Sequence, residues 1–233
     1  AFETFGLGAV MFGGIGLQQT ALLYTNVANA AFLTALYVPL VPLIAAVFLR
    51  RYVPLNIWPA VLLSMAGSYL LSGTSSLDAQ FGDLLIIGGA FFWAGHILLI
   101  QHVLEKIAAP LQLSVYQSLV TAFLAGIVMV PLEAPHPSDF LPVLPQLAFA
   151  GLMAVGIGYT LQLLAQRHTP AAAAAVILSL ESVFAAVFGW WLLGEQLVSL
   201  ALIGCALIFI AVIIAETLSE SAIKRYVRAV LNR

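Results

Sequence analysis

Glu181 stands near the middle of AVILSLESVFAAVFGWWLLGE (175–195), a stretch that is apolar almost from end to end. A charged side chain at the centre of such a span costs about 2.5–3.5 kcal/mol on insertion scales, so a carboxylate kept there calls for a use. Two chemistries suit it: exchanging a proton, or binding an ammonium group. Both need a carboxylate with no fixed cation beside it, and all eight Lys and Arg lie outside the apolar spans. The structural alternative is a protonated acid that hydrogen-bonds between helices.

His96 follows Trp93 by one helical turn and is expected to face the same way. Imidazole titrates near neutral pH, so His96 is a candidate to share a proton with Glu181 or to bind substrate. A packing role is the competing reading. The amide and phenol groups make further stripes. Tyr159 and Gln162 share one helical face, Asn29 and Tyr37 another, and Gln18 stands on a third helix. Such groups either line a polar cavity or hydrogen-bond across helices for about 1 kcal/mol each. Pro39 and Pro42, in YVPLVP, interrupt the backbone ladder just past Tyr37. With Trp93, these residues make up the candidate substrate-binding or proton-coupling site.

Enzyme chemistry finds little support. There is no HExxH motif, and no pair of acids lies within the spans. Ser179 is two residues from Glu181, on a different helix face, which makes a poor nucleophile–base pair. No catalytic residue is assigned, no metal site is expected because no second His or Cys stands at ligand spacing, and no cofactor is expected. A phosphorylated substrate is disfavoured, because no Lys or Arg lies within a span to hold the phosphate.

The elements that position these residues follow from composition. Of 233 residues, 63% are hydrophobic and 8% charged, against about 25% charged in soluble domains. Mean hydropathy is +1.08. The apolar runs approach 20 residues, enough to cross a bilayer core of about 30 Å. The fold class is therefore all-α, a polytopic membrane bundle of eight transmembrane helices near 4–23, 28–49, 55–73, 82–103, 110–131, 143–166, 170–193 and 197–217.

Charge placement supports the count. With eight spans, Arg50, Arg51, Lys106, Arg167 and the four basic residues of the tail share one side. Asp78, Asp83, Glu133, Asp139 and Glu195 share the other. The positive-inside rule makes the basic side, and with it the C-terminus, cytoplasmic. Trp190 and Trp191 suit the outer interface. The tail (218–233) sets Ile223, Tyr226, Val227, Val230 and Leu231 along one face between basic residues, as an interfacial helix would.

A shift of 144 residues lays LQQTALLYTNVANAAFLTAL (17–36) on LQLLAQRHTPAAAAAVILSL (161–180), pairing Gln18 with Gln162 and Thr25 with Thr169. Tyr37 then falls on Glu181. The paired helices run in opposite directions, because one ends at Arg50–Arg51 and its counterpart at Gly194–Glu195. That is an inverted-topology repeat, common among secondary transporters. Residues 82–217 make a complete five-helix half, whereas 1–73 supply three helices of the other. Two further helices upstream are the expectation.

YTNVANAAFLTALYVPLVPL, GDLLIIGGAFFWAGHILLIQH and SLESVFAAVFGWWLLGE resemble the EamA-domain branch of the drug/metabolite transporter superfamily. The resemblance covers the whole chain, as helices three to ten of a ten-helix fold with two inverted halves. It implies alternating-access transport of a small metabolite, often an amino acid or derivative, in the export direction, through a central cavity lined by both halves. Members commonly carry proline after the glutamate of the penultimate helix; here Ser182 takes that place. Residues and resemblance together lead to a secondary transporter of the bacterial inner membrane. Its substrate would be a small neutral, zwitterionic or cationic molecule and its candidate coupling ion the proton, with the lipid bilayer as surroundings and no nucleic-acid partner. A passive facilitator of the same fold and, behind it, an intramembrane enzyme are the alternatives.

Overall fold

The computed structural model describes residues 2–73, 81–134, 136–194, 196 and 198–231, whose regular elements are all helical with no strand among them. Helix α1 (Phe2–Ala21) leads to α2 (Val27–Thr34) and α3 (Tyr37–Val47). A 3₁₀ turn at Leu55–Ile57 enters α4 (Trp58–Ser72), followed by α5 (Phe81–Lys106) and α6 (Pro110–Glu133). Next come α7 (Pro137–Phe149), a π-helical segment (Ala150–Gly158) and α8 (Tyr159–Gln166), which together form one rod. The chain closes with α9 (Ala171–Leu178), α10 (Leu180–Leu193) and α11 (Ser199–Leu231).

Among the described residues, seven helical stretches are long and apolar enough to cross a membrane. The expected first span is a helix, but α1 is not one of the seven. Its composition explains this: Glu3, Thr4, Gln18, Gln19, Thr20 and five glycines dilute its apolar character. The protein packs α1 between α5 and α6. Thr121 Oγ1 there donates to the Gly8 carbonyl at 3.0 Å.

Three boundaries differ from those read from the sequence. The span expected from 143 begins at Pro137, where the His136 N–H donates to Asp139 Oδ2 at 2.9 Å and proline suits the first helical position. The span expected over 28–49 is two helices, and so is the span over 170–193. Helix α11 continues from the last span into the basic tail without a break. The side chains of the apolar face expected on that tail lie outside the described residues, as do Asp78 and Glu195.

The buried core gathers Val38 and Val41 of α3, Val61 of α4, Ala94 of α5, Ala175 and Val176 of α9, and Ala211 of α11. The two helices that touch most extensively, α4 and α11, meet at glycines. A Cβ on Gly67 would lie 2.7 Å from the Gly204 carbonyl oxygen, and one on Gly204 would lie 2.6 Å from that of Gly67. Between membrane helices, where no water drives association, such close approach supplies the packing attraction. Gly67→Ala is therefore expected to lower the apparent Tm in detergent, reflecting about 1–3 kcal/mol of overpacking. Gly16→Ala, which meets nothing within 4 Å, is the control and should not lower it.

Candidate functional site

Two helix breaks build the site. Pro39 has no N–H to offer the carbonyl four residues earlier, that of Ala35. The Val38 N–H takes that carbonyl instead, at 3.0 Å, and the helix parts between Thr34 and Tyr37. The break thus falls just before Tyr37, one turn upstream of the prolines. Pro42 lies inside α3 and is buried.

The second break, at Ser179, has no proline. The Ser179 hydroxyl donates to the Val176 carbonyl at 2.5 Å and accepts from Ser64 Oγ of α4 at 2.8 Å. A serine that competes in this way for the backbone bends or parts a helix. The breaks at Ala35–Leu36 and Ser179 lie 144 residues apart, at the offset of the sequence repeat. The rod formed by α7 and α8 is irregular as well. Its π-helical segment ends immediately before Tyr159, and such wide turns recur at functional sites.

A cavity of about 240 Å³ opens where the broken helices meet α1, α5 and α8. Gln18, Tyr37, Trp93, Tyr159, Gln162 and Glu181 all line it. Two repeat-related pairs, Gln18 with Gln162 and Tyr37 with Glu181, therefore face one space. Ser179 and Ser182 add hydroxyls, and Ala31, Ala35 and Ala185 leave room. None of the lining residues is Lys or Arg.

One wall is aromatic. Trp93 and Tyr159 stack with ring centroids 6.1 Å apart and planes 11° from parallel. Trp93 Nε1 donates to Gln18 Oε1 at 3.2 Å, which fixes the indole against α1. His96 is fully buried behind this wall and does not line the cavity. Its ring packs edge-on to both Trp93 and Tyr159, at 6.0 and 6.1 Å. His96 Nε2 pairs with Gln117 Oε1 of α6 at 3.1 Å. Asn29 is also away from the cavity, buried on α2, where its backbone N–H donates to the capping side chain of Asn26.

Sequence reasoning passed over Gln117 and Ser64, which carry no periodic or repeat signal. It weighed Ser179 only as a nucleophile. Its place in SLES, two residues before the acid, was the clue available.

An all-helical bundle with seven membrane-spanning stretches among the described residues, and broken helices around a small cavity, defines a polytopic membrane protein. Residues 80–217 match the model of the EamA-like transporter family, and this chain belongs to that family. It is 33% identical over 217 residues to an "uncharacterized transporter" of Archaeoglobus fulgidus, an alignment covering 92% of this chain and 68% of the relative. A solved structure described only as "crystal structure of protein" is similar with a TM-score of 0.75 at 19% identity, covering 95% of this chain and 78% of that one. This last likeness is one of fold. The protein is thus an integral membrane protein and a transporter.

Proposed function

We propose that the protein is a secondary transporter that exports a small organic amine by alternating access, with the basic end of the bundle on the cytoplasmic side. The observation that carries this reading is the pairing of Glu181 with the Trp93–Tyr159 wall in one cavity that no Lys or Arg lines. A cation over an aromatic face gains about 0.5–2 kcal/mol, and the carboxylate supplies the counter-charge. Gln18, Gln162 and Ser182 remain to hydrogen-bond the rest of the molecule. Within the broader range of neutral, zwitterionic and cationic metabolites, an amine without a free carboxylate fits best, because nothing in the lining offers a carboxylate a positive partner.

The same carboxylate accepts either the cargo or a proton. That competition is the simplest route to proton-coupled exchange. The two helix breaks, 144 residues apart and both at the cavity, support rocking of two inverted halves around a fixed site. In this reading the chain contributes eight helices of a ten-helix transporter.

The test is a flux screen with the full-length protein in proteoliposomes, with and without a pH gradient. Organic amines should move, faster when the gradient opposes their own flow of charge with protons. Exchange of sugar phosphates with no amine flux would overturn the reading.

A further inference from the structure

We propose that Arg51, Glu105 and Gln101 form a latch that closes the cavity on the basic side, and that the latch breaks once in every transport cycle. The second clause rests on the alternating-access reading; the first stands on geometry alone.

Three residues past the end of α3, Arg50 adopts a left-handed conformation at φ 50°. The Arg51 N–H then donates to the Ala45 carbonyl at 2.9 Å, which turns the chain back over the end of α3. This sends the Arg51 guanidinium across to α5. There Nη1 and Nη2 bond the two Glu105 oxygens at 2.8 and 2.9 Å, a parallel fork that fixes direction as well as distance. Gln101, one turn earlier on α5, donates to Glu105 Oε1 at 3.2 Å. Its own Oε1 accepts the Ala171 N–H at 2.9 Å. That N–H opens α9, whose N-cap is Pro170, a residue with no side chain to satisfy it. One continuous chain of bonds therefore ties the α3–α4 connection through α5 to the first residue of α9. Beside it, Glu3 of α1 pairs with Lys106 at 2.5 Å and with His102 at 3.4 Å.

The latch sits over a dry plug. Going from the cavity toward the basic end, α3 buries Val38, Val41 and Ala45. Over the same depth α9 buries Ala171, Ala173, Ala175 and Val176. The plug and latch together close the basic side, and the latch joins the ends of α3 and α9 by polar bonds. Both partners of the ion pair are partly exposed, Arg51 at 34% and Glu105 at 49%. Such a pair holds weakly enough to be broken repeatedly.

The test uses accessibility and needs no cargo. In a Cys205→Ser background, which removes the one cysteine, Val41→Cys places a thiol in the plug. A membrane-impermeant maleimide is applied from the basic side of oriented membranes. The parent should react slowly. Glu105→Gln, and separately Arg51→Ala, should each speed labelling by about two- to fivefold, the range expected for losing an exposed pair. The exchange Arg51→Glu with Glu105→Arg should restore the slow rate. As a check that needs no change to the latch, raising salt to about 1 M, where the Debye length is about 3 Å, should speed labelling in the parent but not in Glu105→Gln. Unchanged labelling in both single variants, with no effect of salt on the parent, would overturn the latch. Faster labelling without any amine flux would leave the latch standing and defeat the proposed transport. Amine flux with labelling indifferent to the pair would do the reverse.

Discussion

Glu181→Gln is expected to lower amine flux by about 30-fold or more, because removing one partner of a desolvated charge pair costs about 2–5 kcal/mol. The substitution keeps the shape and hydrogen-bonding reach of the side chain and removes only the charge and the exchangeable proton. Glu181 makes no hydrogen bond or ion pair to another part of the described protein that would hold the fold. The variant should therefore be as thermostable in detergent as the parent. It should also lose its response to a pH gradient, since no other carboxylate lines the cavity. Tracer flux in proteoliposomes, run at matched protein content, reads both effects. Full flux with an intact response to the gradient would remove Glu181 from the mechanism.

Trp93→Leu is the second large effect. The indole contributes a stacked face with Tyr159 and a hydrogen bond that holds Gln18 at the rim. Leucine fills part of the volume but offers a cation no π face. The loss of about 0.5–2 kcal/mol of cation–π attraction corresponds to roughly a 2- to 30-fold rise in KM for an amine. Trp93→Phe should recover much of this, since a phenyl ring restores the face without the N–H. An aliphatic, uncharged test solute should show no such difference between Leu and Phe. Initial-rate flux against substrate concentration separates the KM effect from a change in turnover.

Much of the site was legible because the repeat and the helical period agree. Gln18 and Gln162, and Tyr37 and Glu181, were paired by a shift of 144 residues, and the structure brings all four to one cavity. Helical spacing also placed Tyr159 and Gln162 together, since both follow the π-helical segment and share the regular turns of α8.

His96 illustrates where periodicity falls short. Three residues at about 100° each leave its side chain about 60° away from that of Trp93. At a cavity wall, that angle separates a lining residue from one behind the wall. The break at Ser179 was out of reach for a different reason. Proline announces a lost N–H in the sequence, whereas a serine parts a helix only when a neighbour such as Ser64 holds its hydroxyl in place. The broken span over 28–49 shows the same distinction from the other side. Its prolines were visible, but the interruption falls at the carbonyl four residues before Pro39, so the cavity gains Ala35 and Tyr37 as rims of the break.

The most direct test of the central claim is amine affinity measured against pH in the purified protein. If the cargo and a proton compete for the Glu181 carboxylate, lowering the pH through its titration should weaken apparent binding by about tenfold per unit on the acid side. Tyr37 and Tyr159 are the other titratable groups in the lining, with His96 behind the wall. Glu181→Gln should bind weakly with a flat pH profile, while His96→Gln, which leaves the carboxylate in place, should keep the slope. A profile that survives in Glu181→Gln, or wild-type binding indifferent to pH, would contradict the account.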